Sequence, residues 1–138
     1  VAEPLAGRVS VIDGDTIELH GKRVRLFGID APEGGQTCQD ASGKIWRCGT
    51  TAARVLDELT RGKTINCEQR DIDRYGRIVA VCLAGGRDVA AELVERGLAV
   101  AYRRYSRDYV AFEEKARAAG MGLWSGTFEM PSDWRKMN

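Results

Sequence analysis

A single histidine and the absence of any CxxC pair leave a zinc site with little support. No apolar run is long enough to span a membrane. No internal repeat, low-complexity tract or linker interrupts the 138 residues, so they read as one domain, 1–138. Neither sign of charge dominates. Twenty-one Lys and Arg stand against 20 Asp and Glu, for a net +1, whereas a protein that coats duplexes is far more basic. Any contact with nucleic acid therefore has to come from a local cluster of arginines. Only three prolines occur against 16 glycines, a composition suited to many tight turns around a β core.

The four cysteines, Cys38, Cys48, Cys67 and Cys82, are even in number. That points to two disulfides and an oxidising compartment; the alternative is four buried free thiols. Cys38 and Cys48 flank a glycine- and polar-rich loop, 33–48, and are placed to staple it. The start, Val1-Ala2-Glu3-Pro4, lacks Met and reads as a processed or trimmed chain. The expectation is a secreted or periplasmic protein.

Strands are expected over 5–12, 15–20 and 22–29. Ile17 and Leu19 face one way, with Thr16, Glu18 and His20 on the other side. Residues 50–61 read as a helix with Ala52, Val55, Leu56 and Leu59 on one face and Gly62 as its stop. Strands at 63–70 and 77–84 flank the turn DIDRYG. A hairpin centred there sets Cys67 beside Cys82, in a bridge that stabilises by about 3 kcal/mol. Asp88 caps a helix over 89–96, LAVAY is extended, and Ser106 caps a third helix that ends at Gly120. Residues 121–138 read as irregular, with Trp124 packed back on the domain. Three strands, a helix, two strands and two helices make an α+β chain, and this order builds a five-stranded Greek-key OB-fold β-barrel with three α-helices.

Three segments concentrate chemistry: Ile12–Thr16 (IDGDT), Val24–Glu33 (VRLFGIDAPE) and Asp73–Arg77 (DRYGR). Hydrolysis of a phosphodiester adds negative charge to a phosphate that already carries one, so cationic groups must be in place beforehand. Arginine offers a planar fork matched to phosphate oxygens. A divalent metal concentrates two charges at one point, and a carboxylate orients or deprotonates water. Asp15 and Asp30 are hard oxygen ligands suited to Ca²⁺, Mg²⁺ or Mn²⁺. Pro32 biases Ala31 to an extended backbone, which fixes the Ala31 carbonyl as a third oxygen. Arg25 and Asp30 are an odd number of residues apart, so a regular strand aims them at opposite faces. Either a bulge sits near Gly28 or the strand ends before Asp30. His20 is given no role.

Together these segments, with LVERGLAVAY at 93–102 and GLWSG at 122–126, resemble the thermonuclease family of the staphylococcal nuclease type along nearly the whole chain. The resemblance implies a Ca²⁺-dependent endonuclease acting on DNA and RNA that leaves 3′-phosphate ends, while the interleaved tyrosines and arginines of 101–107 suit single strands, the alternative being a solvated loop before a helix. The resemblance also implies that Asp15, Asp30 and the Ala31 carbonyl hold calcium, with Asp13 behind them. Glu33 acts on the attacking water, and Arg25 and Arg77 stabilise the transition state. Arg74, Tyr75, Tyr102 and Tyr105 bind substrate by charge, stacking and hydroxyl contact. Ala31 stands where the family often has threonine, and Arg74 where lysine is common. The loop after Glu33 carries Cys38, Trp46 and Cys48 in place of a lysine-rich loop. A monomer is expected, since no exposed apolar helix face stands out. The competing readings are a non-catalytic OB module that binds nucleic acid or another polyanion, and an envelope or polysaccharide-associated protein that borrows the fold. The full set Asp15, Arg25, Asp30, Glu33 and Arg77 favours catalysis.

Overall fold

A computed structural model describes residues 5–138; the Val1–Pro4 start lies outside the described residues. Strands β1 (Leu5–Gly7) and β2 (Val9–Asp13) are successive halves of one N-terminal strand, parted by Arg8. They are followed by β3 (Thr16–Leu19), β4 (Lys22–Leu26) and the short β5 (Ile29–Asp30). The 33–48 loop holds a small hairpin, β6 (Cys38–Gln39) and β7 (Ile45–Trp46), and leads into helix α1 (Cys48–Thr60). Next come β8 (Ile65–Ile72), β9 (Ile78–Ala84), β10 (Arg87–Asp88), α2 (Val89–Glu95), β11 (Val100–Ala101) and α3 (Val110–Ala118). A 3₁₀ turn at Gly122–Ser125 and helix α4 (Pro131–Met137) complete the chain.

The main sheet runs β1-β8-β9-β4-β3-β2, and β10 adds to β9. Because β1 and β2 belong to one continuous stretch, the two ends of this order meet and the sheet curls on itself. Five strands in this sense, with β4 parallel to β9 and the other pairs antiparallel, give the expected OB-type barrel.

The period-two pattern of each strand fills the interior. Ile17, Leu19, Val24, Leu26, Ile65, Ala80 and Cys82 are all buried there. Helix α1 closes one side with Ala52, Val55 and Leu56 buried, while Leu59 packs against the same core less completely. Helix α2 adds Leu93 and Val94. Its N-cap is as expected: the Asp88 carboxylate accepts from the Ala90 and Ala91 backbone N–H groups.

Both disulfides form as read, Cys38–Cys48 and Cys67–Cys82, and the second joins directly paired residues of β8 and β9. Among the described residues no cysteine is free, and no helix is long and apolar enough to cross a membrane.

Two expectations are corrected. Ser106 does not cap α3. Its hydroxyl accepts from the Asp108 N–H in a turn, and the helix starts at Val110 behind Tyr109. Tyr109 is buried and its hydroxyl donates to Asp88 Oδ2 at 2.6 Å, so the cap of α2 decides where α3 begins. The C-terminal stretch is not irregular throughout, because α4 is a fourth helix with Pro131 at its start.

Candidate active site

The strand carrying Arg25 ends at Leu26, and Gly28 turns the chain with φ of 77°. This resolves the parity of Arg25 and Asp30: β4 stops, a turn intervenes, and β5 begins again at Ile29. A side chain at 28 would be strained by the positive φ, and its Cβ would stand 2.8 Å from the Tyr109 ring. β5 pairs with β11 through Val100 and Asp30, which fixes Asp30 in the buried wall of the site.

Asp15 comes from the β2–β3 turn, where its carbonyl accepts from the Leu26 N–H at 2.8 Å. Its carboxylate accepts from the Ala31 N–H at 2.9 Å and stands 3.1 Å from Arg25 Nη1. Arg25 Nη2 lies 3.3 Å from Asp30 Oδ1, and Arg25 Nη1 also donates to the Ile29 carbonyl at 3.1 Å. One guanidinium therefore joins the two carboxylates expected to hold a metal.

Glu33 is placed from two sides. Its N–H donates to the Oε1 of Gln36, a fully buried residue that the sequence reading missed. Its carbonyl lies so close to Gly49, in the first turn of α1, that a methyl group there would overlap it.

These residues open onto a cleft of about 870 Å³. Asp13, Asp15, Arg25 and Glu33 line it together with the DRYGR turn and Tyr102, Arg104 and Tyr105. Asp30 and Ala31 are buried behind it. Arg77 lies on the cleft wall but outside the Asp15–Arg25–Asp30 cluster. Asp73 aims it: Asp73 Oδ2 accepts from Arg77 Nε at 2.7 Å, and Oδ1 accepts from the Tyr75 and Arg77 N–H groups at 2.9 Å each. Burial pushes the Asp73 carboxyl up, but the Arg77 contacts outweigh it and hold the group below 3.8.

Tyr75 is exposed at the rim, with the Arg74 and Arg77 guanidinium groups 5.0 and 5.6 Å from its ring centre. Tyr102 and Tyr105 stack at 6.3 Å. The Tyr105 hydroxyl donates to Asp71 Oδ2 at 2.6 Å, which pushes the phenol up to about 12.

The largest surprise is Arg135. Its Nη1 donates to Asp30 Oδ1 at 3.1 Å and to Glu33 Oε1 at 2.6 Å, and its Nη2 donates to Asp30 Oδ2 at 3.1 Å. Pro131 was a readable helix-start signal for α4. Nothing in the sequence connects position 135 to Asp30.

Calcium requires hard oxygens and tolerates an open, irregular shell. Burial raises the pKa of Asp30, and burial together with Asp15 and Glu33 raises that of Asp13. At Asp30 burial outweighs the lowering effect of Arg135 and Arg25, and at Asp13 burial and the neighbouring carboxylates outweigh Arg23 and Arg25. Among the described residues no three acidic, histidine or cysteine side chains close into a ready cage. The donor chemistry still fits a hard cation. Asp15 and Asp30 would hold it together with the Ala31 carbonyl, and water would supply the remaining oxygens.

The family model described as staphylococcal nuclease homologue matches residues 23–126. The chain is 44% identical over 126 residues to the succinoglycan biosynthesis protein ExoI of Rhizobium meliloti (strain 1021), covering 89% of this chain and 66% of that protein, or just under two thirds. It is 34% identical over 136 residues to an uncharacterized endonuclease of Haemophilus influenzae, covering 93% and 71% of the two chains. It is also 34% identical over 146 residues to the micrococcal nuclease of Shigella flexneri, covering 93% and 78%. With the family model matching 23–126 and two relatives with nuclease names matched over most of their length, the chain belongs to the staphylococcal nuclease homologues.

Proposed function

We propose that this chain is a calcium-dependent endonuclease that hydrolyses phosphodiester bonds of DNA and RNA and leaves 3′-phosphate ends. The observation that carries this reading is that Asp15, Arg25, Glu33 and Arg77 line one cleft, with Asp30 buried behind it and paired to Arg25. Calcium bound by Asp15, Asp30 and the Ala31 carbonyl would supply positive charge beside the reacting phosphate. Arg25, which lies against both carboxylates, would fork onto a phosphate oxygen, and Arg77 would reach the same group from the Asp73 side. Both guanidinium groups meet charge that grows in the transition state.

Glu33 sits where it orients a water or accepts its proton. The water oxygen forms the new bond to phosphorus and the bond to the 5′ oxygen breaks. The proton from water goes to Glu33, and the 5′ oxygen leaves as a hydroxyl by taking a proton from solvent water, to which Glu33 returns the one it accepted. Asp13, on the cleft wall, would add negative charge beside the ligands. Tyr75, Tyr102 and Tyr105 offer ring faces, and Arg74 adds charge, which favours unpaired bases and hence single strands. The two disulfides suit a secreted or periplasmic protein.

The name of the rhizobial relative gives a reason to consider a second reading, in which the substrate is a polysaccharide. Five arginines and five carboxylates line the cleft, a charged set that suits a cation and a phosphate together better than neutral sugar hydroxyls.

The test is to digest a 5′-labelled single-stranded oligonucleotide in calcium and to analyse the new ends. The expected products carry 3′-phosphate and can be labelled there only after phosphatase treatment. Binding without cleavage would leave the non-catalytic module standing. Cleavage of a neutral polysaccharide in place of the oligonucleotide would favour the second reading.

A further inference from the structure

Helix α4 lies beyond residues 23–126, the span matched by the family model, yet it delivers a guanidinium to the centre of the site. Both carboxylate oxygens of Asp30 are engaged by arginine: Oδ1 by Arg25 and Arg135, and Oδ2 by Arg135. Glu33 Oε1 is held by the same Arg135 Nη1. These are the atoms that a divalent cation and an attacking water need. Arg135 and a bound metal compete for Asp30.

The rest of α4 is lightly fixed. Of its seven residues only Pro131 is buried. The segment before it is tied by the Gln36 side chain, which donates to the Glu129 carbonyl at 2.8 Å. A groove of about 330 Å³, lined by Tyr102, Arg104, Ser132 and Lys136 as well as Arg135, gives the guanidinium room to turn away from the carboxylates.

We propose that Arg135 is an intramolecular latch. It neutralises Asp30 and Glu33 in the metal-free protein, seats α4 over the site, and must be displaced when calcium binds. The proposal rests on the calcium reading of Asp15 and Asp30 given above. Arg135 is a positioning residue: it acts through Asp30 and Glu33 and sets the metal concentration at which the site opens. Linkage makes the effect reciprocal, so whatever Arg135 subtracts from calcium affinity, calcium subtracts from the seating of α4.

Isothermal titration with calcium chloride alone, without nucleic acid, tests the latch. Wild type, Arg135→Ala, Arg135→Lys and Asp30→Asn are compared as full chains. Arg135→Ala is expected to bind calcium about fivefold more tightly or better. Arg135→Lys keeps the charge but loses the two-pronged contact with Asp30, and should fall between Arg135→Ala and wild type. Asp30→Asn should lose the titration, which assigns the heat to this site.

Trypsin cleavage after Lys136 gives a second readout. It should quicken with calcium in wild type, and in Arg135→Ala it should be the same with and without calcium. A gain smaller than fivefold, no gain, or weaker binding in Arg135→Ala overturns the latch, as does a cleavage rate in wild type that ignores calcium. If wild type binds calcium and Arg135→Ala binds it equally well, the calcium reading stands and the latch alone fails. If wild type binds none, or Asp30→Asn binds as wild type does, both fail.

Discussion

Asp73 receives the Arg77 guanidinium on one carboxylate oxygen and the Arg77 backbone N–H on the other. A single side chain thus folds the DRYG turn and aims the arginine that the turn exists to present. The same turn needs Gly76, which takes φ of 81°. Asp73→Ala is expected to lower kcat by about tenfold, through lost orientation of a group that acts on the transition state. Arg77→Ala should cost about 100- to 1000-fold. Steady-state cleavage of an oligonucleotide checks the order of the two. Equal losses would mean that Asp73 does more than orient.

The Asp73 contacts also set a pH dependence. Its carboxyl is held below 3.8 in the folded protein, so its contribution is fully present above that value and is lost as pH falls through the folded pKa. Thermal melts of wild type and Asp73→Asn should therefore differ by a constant amount at neutral pH, and the two curves should converge in acid below about pH 4. A gap that does not narrow as the pH falls into the acid range would remove the ionised contact as its cause.

The turn at Gly28 brings Arg25 and Asp30 to the same side, and it depends on a missing side chain. Gly28→Ala combines a left-handed backbone with a methyl pressed on the Tyr109 ring. The expected cost is at least about 1–2 kcal/mol, read as a lower urea midpoint. Activity should fall further than stability alone accounts for, because the Arg25–Asp30 geometry shifts.

Much of this frame was legible in the sequence. The Gly62 stop and the Asp88 cap are local signals that carried into the structure, while β3 is shorter than the expected 15–20, running Thr16–Leu19 with Thr16 buried as well as Ile17 and Leu19. Cys67 and Cys82 were readable as partners because a two-stranded ladder is set by its turn. Its strands run Ile65–Ile72 and Ile78–Ala84, with the first shifted two residues along from the expected 63–70.

What failed depended on distant contacts. Ser106 has the chemistry of a cap, but Tyr109 fills the space in front of Gly28 and bonds Asp88, and this sets the start of α3. Gln36 looked like one more polar loop residue and is fully buried. Arg135 reaches Asp30 across 105 positions of sequence, and no local pattern encodes that.

The disulfides make a separate prediction. Alkylation under denaturing but non-reducing conditions should modify no cysteine, and after reduction all four should react. Paired Cys67→Ser and Cys82→Ser replacement should cost about 3 kcal/mol of stability. Cys48 of the Cys38–Cys48 pair lies with its sulfur 3.5 Å from the Gln36 carbonyl, and the Gln36 side chain accepts from the Glu33 N–H. Removal of the Cys38–Cys48 bridge should therefore reduce activity more, relative to stability, than removal of the other bridge.

The most direct measurement is cleavage of single-stranded DNA by the purified chain in calcium and then in excess chelator, with Arg25→Ala and Glu33→Ala alongside. Wild type should cut only with calcium. Arg25→Ala should lose about 100- to 1000-fold of that rate, and Glu33→Ala at least about 100-fold. Undiminished cutting in chelator, or full activity in Arg25→Ala, would contradict a site in which acidic oxygens gather a cation beside guanidinium groups.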